Sequence, residues 1–382
     1  MQQEINVTIV GGDHYNTYGI VRSLGAKGLK SNVVVLGTEV SKSFVLKSKY
    51  VKRGDGFLKA SDSINTIIQY ADTQNNILIC CSDEAEELAI ANHGRLKDKY
   101  ILPVSADVEH MRFLMSKSYI SKLAEECGIC IPKTWTIANR HIPATIEFPC
   151  ITKPETSTSG RKSDIVICHD IQELEQIVKD SHRCANYAVQ QYIDYEKEVS
   201  ILGAVLADGS VVFSGCIDKI RTCMIGTSSF ARMEDNSILG DTKNRLEILL
   251  KKTNYRGLFS AEFLLKKGVY YFLEVNFRND GNTYVATAAG INLPYLWINS
   301  YFHITREMDQ QGKYPCYFML DIEDFLAIRR NGISLSEWFR NLHTANACLV
   351  YDKLDKKPFY KKLSNVILTI AKSKLSLKPK QL

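Results

Sequence analysis

The chain has 382 residues, 45% of them hydrophobic and 24% charged, values that suit soluble globular units and exclude a largely disordered, collagenous or coiled-coil chain. At roughly 150 residues per domain, two or three units are expected, and a chain this long needs no disulfide or metal staple to hold a core. The formal charge of +6 belongs to one end: residues 351–382 carry nine lysines against Asp352 and Asp355, a local +7, so the first 350 residues sum to −1. A basic tail is a weaker sign of nucleic acid than a basic face on a folded domain, and no nucleic-acid partner is expected.

The opening run Ile5–Val10 is β-branched and ends at Gly11-Gly12, ahead of an apolar-periodic stretch from Tyr18 to Leu24. Further strands are expected at Asn32–Leu36 and Asn76–Cys81, the latter followed by an acidic helix over Asp83–Ala91. Strands alternating with helices indicate a parallel α/β unit. The Gly11-Gly12 turn does not complete GxGxxG, so the glycines are read as permitting a tight turn rather than as a dinucleotide fingerprint. Residues 111–128 read as one helix stopped by Gly128 and Pro132.

From there the pattern changes. Cys150–Lys153, Asp164–Cys168, Tyr187–Ile193, Glu198–Leu202, Ser210–Ser214, Phe259–Leu265 and Val269–Val275 read as strands, many with the period-two alternation of half-buried antiparallel sheets. The fold class is therefore α/β plus α+β, with the change near residue 115. Residues 281–305 carry no charge, but Asn282, Asn292, Pro294, Asn299, Ser300 and His303 interrupt them. A membrane span needs about 20 predominantly apolar residues, so buried structure is expected instead. Eleven cysteines without regular spacing, and no apolar leader after Met1, suit reduced thiols in a cytoplasm. Cys127-x-x-Cys130 has no companion ligands at zinc spacing.

The stretch richest in chemistry runs from Glu262 to Arg278. Two strands joined at Lys267-Gly268 form a hairpin, with Glu262 on one arm and Glu274 and Asn276 on the other. Glu274, Asn276 and Arg278 are two apart and emerge on one face. Two carboxylates and an amide are hard oxygen ligands suited to Mg²⁺, which pairs a few protein carboxylates with phosphate oxygens. Arg278 beside them can stabilise charge on a transferred phosphoryl group. An exposed strand with a polar outer face is the plain alternative.

These residues resemble the ATP-grasp superfamily, whose members include carbamoyl phosphate synthetase, biotin carboxylase and D-alanine ligase and end their nucleotide site in a Glu-x-Asn-x-Arg strand. The resemblance extends upstream in order. Lys117 and Lys153 resemble the two phosphate-binding lysines. Thr156–Ser163, including Ser159 and Gly160, resembles the small-residue loop over the phosphates. Gln190–Glu198 resembles the adenine hinge, with Gln191, Tyr192 and Ile193 at the base and Glu198 at the ribose. Lys219 and Arg221 flank Ile220 on an expected strand and could meet the γ-phosphate or an acidic substrate, with surface charge as the plain alternative for Lys219.

The resemblance implies a Rossmann-like pre-ATP-grasp domain (1–114), a small lobe (115–189), a large lobe with the metal site (190–310), and a C-terminal extension with the basic tail (311–382). It implies ATP and Mg²⁺, or Mn²⁺, as cofactors, with Glu262, Glu274 and Asn276 as metal ligands and Arg278, Lys153 and Arg221 as catalytic groups. Departures are Gln191 where many members have Glu, Arg161-Lys162 in a loop elsewhere richer in glycine, and Ser260 where D-alanine ligases carry Arg. Gly11–Gly19, Trp338–Leu342 and Tyr351–Phe359 resemble carboxylate-amine ligases akin to bacterial D-aspartate ligases. The expected reaction activates a carboxylate as an acyl phosphate and joins it to an amine, less often a thiol, with Asn282 and Thr283 bordering the acceptor. Carbamoyl-phosphate-synthase-like phosphorylation of a small carboxylate, and a catalytically silent nucleotide-binding protein, are the alternatives. A homodimer is the commonest closed assembly.

Overall fold

The computed structural model describes residues 5–72, 74–103, 108–137, 140–154, 165–180, 187–224, 227–302 and 311–376. Its first sheet is parallel, with spatial order β3-β2-β1-β4 built from β1 (Asn6–Gly12), β2 (Ser31–Leu36), β3 (Val51–Phe57) and β4 (Asn76–Cys80). Helices α1 (Tyr15–Gly25), α2 (Ile64–Tyr70), α3 (Asp83–Ala91) and the short α4 (His93–Leu96) connect and cover it. The central strands are buried on both faces, which is why β1 and β2 are buried almost without interruption and rich in Val and Ile rather than alternating. A Cβ at Gly11 would lie 2.6 Å from Thr17 Oγ1 and 2.7 Å from Cys81 Cβ. That glycine therefore serves close approach of strand and helix.

The expected single helix over 111–128 is two: α5 (Val108–Leu114) and α6 (Lys117–Glu126). The break falls at Ser116, whose hydroxyl accepts from the Tyr119 amide and starts α6 anew, as an N-cap does. Lys117 thus stands at the first turn of a helix. Gly128, with φ of 75°, lets the Ile129 amide return to the Ala124 carbonyl and end it.

A second, antiparallel sheet has the order β5-β8-β6-β7, from β5 (Thr134–Ile137), β6 (Cys150–Pro154), β7 (Val166–Cys168) and β8 (Tyr187–Gln191), with α7 (Ile171–Lys179) packed on it. The third sheet has seven strands in the order β13-β12-β9-β10-β11-β14-β15. These are β9 (Lys197–Val205), β10 (Val211–Met224), β11 (Thr227–Glu234), β12 (Gly257–Lys266), β13 (Val269–Asn276), β14 (Cys316–Met319) and β15 (Ala347–Cys348). One face packs on α8 (Asp241–Lys252) and α6. The other shares a continuous core with the first sheet through α9 (Thr283–Ala289) and α10 (Leu293–Phe302).

The uncharged run over 281–305 is thus α9 and α10 of the buried core, and among the described residues no helix is long and apolar enough to cross a membrane. Beyond residue 310 the chain still builds this sheet, since β14 pairs with β11 and β15 with β14. Helices α11 (Asp321–Leu326), α12 (Leu335–Thr344) and α13 (Lys357–Ser376) follow.

Candidate active site

The hairpin of β12 and β13 turns at Lys267 and Gly268, both with positive φ (49° and 77°), as a two-residue type I′ connection requires. Its register sets Glu262 opposite Glu274 and Ser260 opposite Asn276. Between the pairs Glu262–Glu274 and Phe263–Phe272 the register slips by one residue, so Leu273 is a bulge. The bulge lets Leu273 and Glu274 both line the cleft while Phe272 and Val275 stay in the core. Strict alternation would have sent one of them inward.

Burial and the neighbouring Glu274 push the Glu262 carboxyl up, whereas Glu274 is held low because Lys117, Lys153 and Arg278 outweigh its own burial. Lys117 Nζ lies 3.2 Å from Glu274 Oε2. Burial and the Lys117 charge lower Lys153, against the pull of Glu274, Glu262 and Glu198. Asn276 is oriented from both sides: its Nδ2 faces Ser260 Oγ at 3.4 Å and its Oδ1 accepts from Arg278 Nη2 at 3.3 Å.

The hinge after β8 borders a cavity of about 150 Å³ lined by Ile151, Tyr192, Ile193, Leu264 and Leu273, with Lys153 and Glu198 at its edge. Such an apolar slot with a few polar groups suits a flat base. Two hinge amides are already engaged, Gln191 N–H on Lys133 O (2.8 Å) and Tyr192 N–H on Pro149 O (3.0 Å), so they are not the donors to a base. Ser159 and Gly160 lie outside the described residues.

Lys219, read from sequence as a γ-phosphate contact, is paired with Glu198. Burial pulls its ammonium down, but Glu262 and Glu198 raise it further. Arg221 turns to Asp324, with Nη2 at 2.8 Å from Oδ2 and the ring of Phe230 beneath its guanidinium. Ser229 Oγ also donates to Asp324. Thr283 is buried in the first turn of α9, and Asn282 Oδ1 is buried without a partner.

Three residues take places that the sequence did not assign to them. Asp83 pairs with Arg278 across 195 residues of chain. Glu86, on the same helix, is buried and pushed up to about 8 by desolvation. Gln190 Oε1 is buried without a partner beside Lys117 and Lys153, while its Nε2 donates to Thr134 Oγ1. The available signal was Ser82-Asp83-Glu84, an N-cap with acids in the first turn; it marks a helix start, and nothing in it points to Arg278.

The residues present fit Mg²⁺. Glu262 and Glu274 are direct cross-strand partners, the Asn276 amide oxygen is fixed beside them, and all three are hard oxygen donors.

Residues 122–291 match the family model of the ATP-grasp domain. It is 22% identical over 324 residues to a D-aspartate ligase of Enterococcus faecium (strain Aus0004), covering 77% of this chain and 76% of that protein. To the carbamoyl phosphate synthase large chain of Saccharolobus solfataricus it is 24% identical over 193 residues, 47% of this chain but 18% of that longer protein. The N5-carboxyaminoimidazole synthetase of Staphylococcus aureus complexed with ADP superposes with a TM-score of 0.65 at 14% identity, covering 87% of each chain.

Proposed function

We propose that the chain is an ATP- and Mg²⁺-dependent ligase that activates a carboxylate as an acyl phosphate and joins it to an amine, its substrate an amino acid or peptide-like molecule. The observation that carries this reading is the convergence of Glu262, Glu274 and Asn276 with Lys117, Lys153 and Arg278 on one cleft. Similarity to a D-aspartate ligase over three quarters of both chains favours an amine acceptor. In this reading residues 1–114 form a pre-ATP-grasp unit, 115–189 and 190–310 the two lobes, and 311–382 an extension that completes the large sheet.

Lys117, on helix α6, and Lys153, on strand β6, neutralise the triphosphate from two different elements, and the hinge slot takes adenine with Glu198 at the ribose. Glu262, Glu274 and Asn276 would hold Mg²⁺, which would supply positive charge to the phosphate oxygens. Arg278 faces the charge that develops as the substrate carboxylate attacks. Phosphoryl transfer asks chiefly for positioning and charge neutralisation, and the amine then displaces phosphate from the acyl carbon. The buried free thiols Cys80, Cys81, Cys150 and Cys216 suit a reducing cytoplasm.

The experiment is incubation with MgATP and a matrix of carboxylates and amines, following ADP. Release that requires one pair and is abolished by Glu274→Gln supports a ligase. A protein that gives no calorimetric signal with ATP and Mg²⁺ sinks the reading.

A further inference from the structure

A cavity of about 370 Å³ lies between α3, the α5–α6 break and the edge strand β13. Asp83, Glu86, Glu87, Arg112, Lys117 and Glu274 supply its charged groups, and its other walls are mainly aliphatic. Two of the four carboxylates already have cations: Asp83 holds Arg278 and Glu274 holds Lys117. Glu86 is different. It is 4% exposed, its Oε1 is buried with no hydrogen-bond partner, and it lines the cavity. A buried carboxyl oxygen without a donor is costly unless something supplies one.

We propose that this cavity receives the amine co-substrate, its nitrogen seated against the Glu86 carboxyl. The proposal rests on the ligase reading above and names where the acceptor binds. An N–H donor is what the orphaned oxygen lacks, the negative excess of the lining attracts an ammonium, and the aliphatic walls suit its carbon stem. A carboxylate would be repelled there. The cavity shares Lys117, Glu274 and Asn276 with the phosphate and metal site, so a nitrogen seated in it lies beside the place where the acyl phosphate forms. Burial favours the neutral acid in the free protein, and an arriving ammonium draws the carboxyl back toward its charged form.

The test is calorimetric, on the full chain loaded with Mg²⁺ and the non-hydrolysable analogue AMPPNP, titrated with ammonium, ethylamine and lysine. At least one amine binds the wild type and Glu84→Gln alike, Glu84 being exposed on the same helix and outside the cavity. It binds Glu86→Gln about tenfold or more weakly, a change well within calorimetric reach. Glu87→Lys, a substitution at the exposed rim, weakens it in the same direction and guards against a Glu86 variant that fails to fold. AMPPNP binds every variant equally. An amine that binds Glu86→Gln and Glu87→Lys as it binds the wild type, or no amine binding to a wild type that holds AMPPNP, overturns the proposal. A wild type that does not bind AMPPNP removes the ligase reading itself.

Discussion

Lys117 Nζ sits 3.2 Å from Glu274 Oε2, each side chain 27% exposed, so the lysine proposed to bind phosphate pairs with the carboxylate proposed to bind metal. Under that proposal metal and lysine would compete for one group until ATP offers the lysine its phosphates. Lys117→Met is therefore expected to have opposite effects on the two ligands. A partly exposed pair contributes about 0.2–1 kcal/mol, so Mn²⁺ alone should bind the variant more tightly, by up to roughly fivefold. Loss of a charge-assisted contact, about 1.5–3 kcal/mol, should weaken ATP by roughly ten- to a hundredfold. Calorimetric titrations of metal alone and of nucleotide with metal read both. Parallel weakening of the two ligands would show that Lys117 does not guard Glu274.

The Arg221 variant separates structure from catalysis. Its partner Asp324 is 0% exposed and also accepts from Ser229 Oγ at 2.6 Å. Removing one member of a buried pair strands the other and typically costs about 3–5 kcal/mol. Arg221→Ala should lower the urea midpoint substantially, with ATP affinity retained in the folded fraction. Arg221→Lys should recover part of the loss, since a lysine cannot reproduce the forked contact. Unchanged stability with a collapsed turnover number would return Arg221 to the substrate.

Much of the site was legible because its signal is local. The Glu262–Arg278 hairpin announces itself through Lys267-Gly268 and the spacing of Glu274 and Asn276, and the buried strands β1, β2 and β4 through β-branched runs. What stayed hidden is set by distant partners. Strand β3, Val-Lys-Arg-Gly-Asp-Gly-Phe, looks like a loop and becomes an edge strand only because β2 lies beside it. Strand β14 follows a long stretch of helix and joins the sheet through β11. The bulge at Leu273 breaks period two where the site needs two neighbouring side chains on one face, and no propensity encodes that. The Arg278–Asp83 contact joins segments whose sequences carry no mark of each other.

Glu86 makes stability depend on pH in a definite direction. Burial raises its folded-state value from 4.5 to about 8, so the native protein holds this proton where the unfolded chain has released it. Between those values the native state binds more protons than the unfolded state, and stability falls as pH rises. The loss approaches but does not exceed about 1.4 kcal/mol per pH unit. Glu86→Gln has no proton to lose. Its melting temperature, measured without amine, should gain on the wild type steadily from pH 5 to pH 8. Parallel melting curves across that range would mean that Glu86 keeps its charge in the fold.

Asp83 tests whether the first sheet unit serves catalysis. Ser82 caps α3 by accepting the Ala85 amide at 3.2 Å, which fixes Asp83 in the first helical turn, aimed at the Arg278 guanidinium. Arg278 also donates to Asn279 O at 3.2 Å and Asn276 Oδ1 at 3.3 Å, so its fork is held on three sides and Asp83 supplies the only charged one among these partners. The Asp83 side chain is 38% exposed, and solvent screening keeps its contribution to stability small. Its contribution to orientation need not be small, because a displaced charge stabilises a transition state poorly. Asp83→Asn is therefore expected to lower turnover roughly tenfold, about 1.4 kcal/mol of barrier, with ATP affinity and melting temperature nearly unchanged. Asp83→Glu, which keeps the charge on a longer arm, should fall between. Lost ATP binding in Asp83→Asn would instead place Arg278 on the nucleotide, and the first unit would then act by closing the phosphate site rather than by aiming the arginine at the reacting carboxylate.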